Sequence, residues 1–165
     1  MNIFVLDNDV SKAAAYHCDK HVVKMILESA QLLSTAHRLL DGRQVTEQKY
    51  VNGSLPPRYR NVKRWKLDDA REPVLYSATH VNHPSAIWCR ENKENYVWLY
   101  RMWFYLLQEY THRYGRQHEC AKLRVALYLT PENIPDGEFF APTPAMPVEL
   151  KVMAENPVPG RKYDS

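Results

Sequence analysis

The chain has 165 residues and a mass of 19.4 kDa, with 45% hydrophobic, 25% charged and 12% aromatic residues and a formal net charge of +3. This length and apolar content imply one compact domain and exclude disorder for most of the chain. No apolar run approaches the roughly 20 residues of a membrane span and no signal-peptide pattern opens the sequence, so a cytoplasmic protein without a membrane partner is expected. The three cysteines, Cys18, Cys89 and Cys120, show no CxxC spacing, which argues against a disulfide framework. GxGxxG and P-loop patterns are absent.

Ile3 to Leu6 reads as a short strand or extended start. Asp7-Asn8-Asp9 supplies turn chemistry, and Asp9 or Ser11 an N-cap, for a long helix from about Val10 to Leu40 that a C-cap glycine stops near Gly42. From Gly42 to about Ser77 the sequence turns polar, loses its periodicity and contains Pro56-Pro57. That stretch reads as a long excursion with a short helix around Asn61–Trp65. Pro84 suits the first position of a second helix through Arg90. A third, aromatic helix runs from about Glu94 to Tyr114 and ends at Gly115, and a shorter one covers Cys120–Tyr128. Beyond Thr130 the clustered prolines, from Pro131 to Pro159, predict an extended strap. The expected fold is mainly α: a single domain over residues 1–165, with a long central first helix, a short extended N-terminal segment and a Pro-rich C-terminal strap.

The first helix carries the clearest chemical signal. At about 100° per residue, His17, His21, Lys24, Glu28, Gln31 and Thr35 fall within about 80° of one another. Val22, Val23, Met25, Ile26, Leu27, Ala30, Leu32 and Leu33 make most of the remaining circumference apolar, with Asp19 inside that arc. The stripe is either a solvent face or the wall of a cleft. Its mixture of two imidazoles, an amine, a carboxylate and an amide favours the cleft, where it would serve proton transfer, anion binding or metal ligation. His17 and His21 have the i,i+4 spacing of a metal pair, but no HExxH motif is present and Lys20 and Lys24 would repel a cation. No metal and no cofactor is expected.

Three further constellations stand out. Thr79-His80-Val81-Asn82-His83-Pro84, followed by Trp88 and Arg90, sets polar groups beside the free N–H donors of a helix start, either to bind an anion or simply to cap the helix. On the aromatic helix Asn95, Leu99, Met102, Leu106, Glu109, Tyr110 and Arg113 share a face, where Glu109 and Arg113 form a buried brace or an acid with an anion clamp. Arg58, Arg60, Lys63, Arg64 and Lys66, interleaved with Tyr59 and Trp65, suit phosphate contact and base stacking, or make a solvated basic loop. Of the other histidines, His37 sits near the apolar side of the first helix, His112 points elsewhere, and His118 is placed to fold back towards the cleft.

The segments Tyr16-His17-Cys18-Asp19-Lys20-His21 through Glu28, Asn82-His83-Pro84 through Trp88, Asn95 to Leu99 and Glu109 to Gly115 resemble a family of small bacteriophage proteins labelled pyrimidine dimer DNA glycosylase. The resemblance covers most of the chain outside 42–75 and the last ten residues. A more distant likeness, to the phage endonuclease V type of glycosylase, rests on the N-terminal segment leading into a polar helix, the His83-Pro84 step and the size. It implies a mainly helical domain in which the α-amino group attacks the sugar C1′, a glutamate on the first helix assists, and the imine permits β-elimination. Here Asn2 should keep the initiator methionine in place, which makes the amine that of Met1. Lys20-His21 stands where that type carries an Arg-Glu pair, and the nearest carboxylates are Asp19 and Glu28.

The expected activity is therefore a base-directed enzyme on DNA, an N-glycosylase with lyase chemistry through an imine. Lys24 or the Met1 amine is the nucleophile and Glu28 the acid/base group. Lysine chemistry requires desolvation, which the apolar surroundings of the stripe would permit. His17, His21 and His83 position and protonate, while Arg90 and Arg113 hold phosphate. Asp19, Lys20, Gln31, His80 and Asn82 line the substrate site with Trp88, Asn95 and Glu109. The alternatives are an enzyme acting on a free nucleotide or hypermodified base, a non-catalytic nucleotide- or nucleic-acid-binding protein that counters host defence, and a metal-dependent nuclease. The apolar groups around the aromatic helix (Trp98, Trp103, Phe104, Tyr105) leave a homodimer contact open.

Overall fold

The computed structural model describes residues 9–15, 17 and 19–142. The expected extended segment Ile3 to Leu6, Cys18 and the strap beyond Pro142 lie outside them. In chain order the elements are α1 (Val10–Ala15), α2 (Asp19–Asp41), β1 (Arg43–Tyr50), β2 (Tyr59–Lys66), α3 (Pro84–Glu91), α4 (Lys93–Tyr114), a 3₁₀ turn (Glu119–Leu123) and α5 (Arg124–Tyr128). The fold is mainly helical with one two-stranded antiparallel sheet.

The single long first helix is corrected to two. Asp9 caps α1 as expected, its Oδ1 accepting from the amides of Ser11 and Lys12 at 2.9 and 3.2 Å. The helix then stops: the His17 amide closes a turn on Ala14 O at 3.2 Å, and the His17 carbonyl accepts from Arg113 Nη1 at 2.8 Å. That carbonyl is committed to α4, not to the next helical turn. Arg113 also reaches Asp19 Oδ1 at 2.9 Å and Glu109 Oε2 at 3.1 Å. Asp19 is thus paired at the positive end of α2 and 72% exposed, not stranded in an apolar arc.

The short helix expected around Asn61–Trp65 is also corrected. Those residues belong to β2, which pairs with β1 in a register running from Arg43 opposite Lys66 to Tyr50 opposite Tyr59. Val45, Thr46, Tyr50, Tyr59, Val62 and Trp65 supply the β-branched and aromatic side chains strands favour. At Gly42 the chain turns directly from α2 into β1. A Cβ there would lie 2.3 Å from the Arg38 carbonyl oxygen, so the residue is needed for close approach, not for a left-handed cap. Gly115 does cap α4 in the left-handed region (φ 69°), its N–H donating to Thr111 O at 2.8 Å.

One apolar cluster gathers Val10 and Ala14 of α1, Met25, Ile26 and Leu33 of α2, Trp88 of α3, Leu99, Met102, Trp103 and Leu106 of α4, and Leu127 of α5. Burying each large side chain contributes roughly 1.5–3 kcal/mol. The Trp103 indole N–H donates to Ile26 O at 3.1 Å and pins α4 against α2. Val23 and Leu27, expected inside, are each 41% exposed. The buried positions of α2 centre on Met25, Ser29, Leu32 and Ala36, which leaves those two residues beyond the edge of the contact.

The described part of the strap runs extended along α3 and α4. Pro135 O accepts from Lys93 N at 2.8 Å, Phe140 O from Trp88 Nε1 at 2.6 Å, and Phe139 stacks on Trp98 at 5.5 Å. Trp103 is fully buried, and Trp98 is half-buried beneath Phe139. Cys89 and Cys120 are buried free thiols. Among the described residues no helix is long and apolar enough to cross a membrane.

Candidate functional site

The polar stripe of α2 lies on the border between its buried side and solvent. Thr35, at its C-terminal end, is buried; its hydroxyl accepts from Thr79 N at 3.2 Å and faces Thr79 O at 3.4 Å. This pair lays the 79–83 segment over the stripe. His80 takes a left-handed conformation (φ 50°), and the His83 amide closes the following turn on His80 O at 2.9 Å. The turn delivers His83 to the N-cap of α3, where its Nδ1 accepts from Ser85 N at 3.1 Å. With Nδ1 an acceptor, the neutral ring carries its proton on Nε2. Burial holds the His83 imidazole below its usual pKa, and His80 adds repulsion, while the Glu28 carboxylate opposes both. Glu28 of α2 and His80 of the turn thus both act on His83 at the start of α3.

Arg90 lies seven residues beyond His83, and so on the same side of α3 and about 10 Å further along its axis. Its Nη1 is buried without a hydrogen-bond partner, and burial lowers its pKa. An unpartnered guanidinium is a costly arrangement that an anion would relieve.

The remaining expected residues divide sharply. Gln31 and His21 are half-buried on the Glu28 side of α2, whereas Lys24, Lys20 and Asn82 are exposed. The described residues therefore do not supply the desolvation that a nucleophilic Lys24 requires. His17 is buried at the α1–α2 junction and shares no helix with His21, so the helical i,i+4 spacing assumed for the stripe does not apply to it. Met1 lies outside the described residues. Trp88 and Asn95 are braces: Asn95 Nδ2 donates to Trp88 O at 3.0 Å and its Oδ1 accepts from Phe140 N at 3.2 Å. Glu109, Arg113 and Asp19 form the clamp on the α1–α2 junction, which engages Arg113 in protein contacts instead of offering it to a phosphate. His118 caps the 3₁₀ turn through Nδ1, at 3.0 Å from Cys120 N, and meets Tyr110 edge-on at 4.9 Å. It borders a cavity of about 390 Å³ with His112 and Arg124, not the cleft. The basic run is split by the strand: Arg60, Arg64 and Lys66 share one face of β2, Lys63 points to the other, and Arg58 precedes the strand.

Two polar networks have no forerunner in the sequence reading. Arg38, buried in α2, donates to Glu72 Oε2 and to the carbonyls of Trp65, Glu72, Leu75 and Tyr76. Four residues further along α2 from His37, Asp41 accepts from Arg71 Nη1 at 2.7 Å and from the amides of Glu132 and Asn133. Burial would raise the Asp41 carboxyl, but these hydrogen bonds outweigh it and hold it low. Hydrogen bonds from Arg71 hold Asp69 down at about 2. Tyr96 Oη donates to Leu127 O at 2.7 Å, so His37 Nε2, 2.7 Å from that hydroxyl, carries the proton, and Nδ1 accepts from Arg71 at 2.9 Å. Burial, with Arg71 adding repulsion, pulls His37 to about 4. Apart from the neighbouring Asp69 and Arg71, the partners lie 27 or more residues apart in the chain, so no local pattern announces them.

Among the described residues no three of His, Cys, Asp and Glu are grouped to hold a metal ion. Comparison with known proteins finds no family model, no curated protein and no solved structure that matches this chain.

Proposed function

We propose that the cleft between α2 and the 79–83 turn is the active site of a base-directed enzyme on DNA, an N-glycosylase with an imine-dependent lyase step. The observation that carries this reading is the 79–83 turn held against Thr35 of α2, which sets His83, its Nδ1 fixed by Ser85 N, beside the helix that carries Glu28, with the unpartnered Nη1 of Arg90 further along α3. In the proposed step an uncharged amine forms a bond to the sugar C1′ as the N-glycosidic bond breaks. Glu28 relays to the departing base the proton that the attacking amine loses, while the neutral His83 Nε2–H donates a hydrogen bond to that base. The C1′–O4′ bond then breaks as the nitrogen lone pair forms the imine, O4′ leaving with a proton from solvent. The imine makes the C2′ proton acidic, the Glu28 carboxylate removes it, and the C3′–O bond breaks to release the 3′ phosphate. Of the two candidate amines, the Met1 α-amino group is favoured over Lys24. Lys24 is exposed, and an α-amino group needs less help to lose its proton, with a reference pKa of about 7.7–8.0.

Borohydride trapping on undamaged, UV-irradiated and abasic duplexes tests the reading. A covalent adduct on irradiated DNA that persists in Lys24→Ala and disappears in Glu28→Gln is the expected result. Absence of an adduct on every duplex, abasic included, refutes the imine mechanism.

The unpartnered Nη1 of Arg90 favours a second reading, an enzyme acting on a free nucleotide, because one buried guanidinium nitrogen suits a single phosphate. Turnover of a mononucleotide with little salt dependence would establish it. Tight nucleotide binding without product would identify a non-catalytic binding protein.

A further inference from the structure

Between Arg43 and Lys66 the sequence holds seven Lys or Arg residues and one acidic residue, Glu47. This stretch is therefore +6, and since the whole chain is +3, everything outside it sums to −3. The positive charge of the protein is segregated into the hairpin.

Register sorts that charge further. Directly paired residues share a side of a two-stranded sheet, and the side alternates along each strand. Arg43, Lys49, Arg60, Arg64 and Lys66 fall on one face, with Glu47 as its sole carboxylate. Glu47 lies 2.9 Å from Lys66 and 3.8 Å from Arg64, and Arg43 meets Asp68 at the base of the hairpin. Lys49 and Arg60 oppose each other nearer the tip with no ion-pair partner among the described residues. The other face carries one charge, Lys63, among Gln44, Thr46, Gln48 and Asn61, with Trp65 at its base and the edge-on pair Tyr50–Tyr59 at its tip. Both faces are largely exposed.

We propose that the hairpin is an arm that binds the phosphate backbone of duplex DNA through its cationic face. Same-face residues two apart on a strand stand about 6.6 Å from each other, which spaces the cations as a track and not as a point site. That face carries no aromatic residue on which an unpaired base would stack, so it suits a duplex, whose bases are turned inward, over a single strand. The choice of DNA over RNA rests on the function proposed above.

The test is fluorescence anisotropy of the full chain on two unrelated DNA duplexes, an RNA duplex and single-stranded DNA, between 50 and 200 mM salt. Lys49→Gln/Arg60→Gln is compared with the opposite-face control Gln44→Ala/Gln48→Ala, with circular dichroism to verify folding. Each phosphate contact contributes about 0.9 to the slope of log K against log[salt], so the cationic-face variant is expected to lose about 1.8 of slope. That makes it about tenfold less salt-sensitive across this range, equally on both duplexes, while the control is unchanged. An unchanged slope in the cationic-face variant, equal loss in both variants, or tighter binding to single strands or RNA overturns the proposal. Binding and chemistry separate cleanly. Duplex binding that depends on Lys49 and Arg60, without any borohydride-trapped adduct, keeps the arm and refutes the glycosylase reading. A trapped adduct with an unaltered salt slope does the reverse.

Discussion

The guanidinium of Arg113 holds the backbone carbonyl of His17 at 2.8 Å across 96 residues of sequence. This contact ties the end of α4 to the point where α1 gives way to α2.

Replacing Arg113 by alanine removes hydrogen bonds to His17 O, Asp19 and Glu109 together. Hydrogen bonds involving charged groups contribute about 1.5–3 kcal/mol each when buried, and the partial exposure of this clamp brings the expected loss to about 2 kcal/mol. Denaturant midpoints measure the loss, and amide exchange should quicken at residues 10–20 first. Arg113→Lys should recover only part, since an ammonium cannot span the three acceptors as a planar fork.

Arg38 presents a harsher case. Its side chain is almost wholly buried and serves four carbonyls and one carboxylate, joining α2 to the end of β2 and to the 67–76 loop. Arg38→Ala leaves those acceptors without their donor, at an expected cost of about 3 kcal/mol or more. Retention of the wild-type denaturation midpoint would refute this role.

His37 gives the fold a pH dependence. Its folded pKa, about 4, lies below the ordinary histidine value of 6.5, so between these two the unfolded chain binds more protons than the native one. Stability is therefore complete above about pH 6.5 and falls as pH drops to about 4, by roughly 3 kcal/mol in all. Asp69, held at about 2, adds its own loss only in more acidic solution, below its ordinary value of 3.8. Urea unfolding at pH 7 and pH 4.5 should show the first step, and His37→Gln should flatten it.

His83 combines a cap with a cleft position, and substitutions separate the two. His83→Ala removes the acceptor for Ser85 N and should destabilise α3 by about 1 kcal/mol. His83→Ser restores a capping oxygen but no titratable ring. Under the proposed function, thermal melting should recover in the serine variant while adduct yield stays low. Recovery of both would reduce His83 to a cap.

The start of α3 at Pro84 and the end of α4 at Gly115 were legible because proline and glycine act locally, through the φ they impose or permit. The extended strap as far as Pro142 followed from its prolines for the same reason. The break after Ala15 was not legible, since its cause sits on α4. The hairpin escaped notice because both its faces meet solvent, which erases the apolar–polar alternation by which a half-buried strand is recognised. In the candidate cleft, the α2 stripe and the His83-Pro84 step could be found by spacing alone. That Trp88, Asn95 and Arg113 brace the fold depended on partners, Phe140 and His17 among them, that spacing cannot supply.

Arg43 and Lys66 face each other as the first pair of the hairpin, so the chain departs from the helical body and rejoins it at adjacent points. The ribbon is in that sense an appendage with a single socket. Its fittings are the bare backbone of Gly42, too close to Arg38 O for any side chain, and the Trp65 carbonyl that receives the Arg38 guanidinium. A graft of different length or charge that keeps these two fittings leaves the packing of α2 on α4 as it stands. The surface of the hairpin and the architecture of the helical body are thereby free to diverge independently.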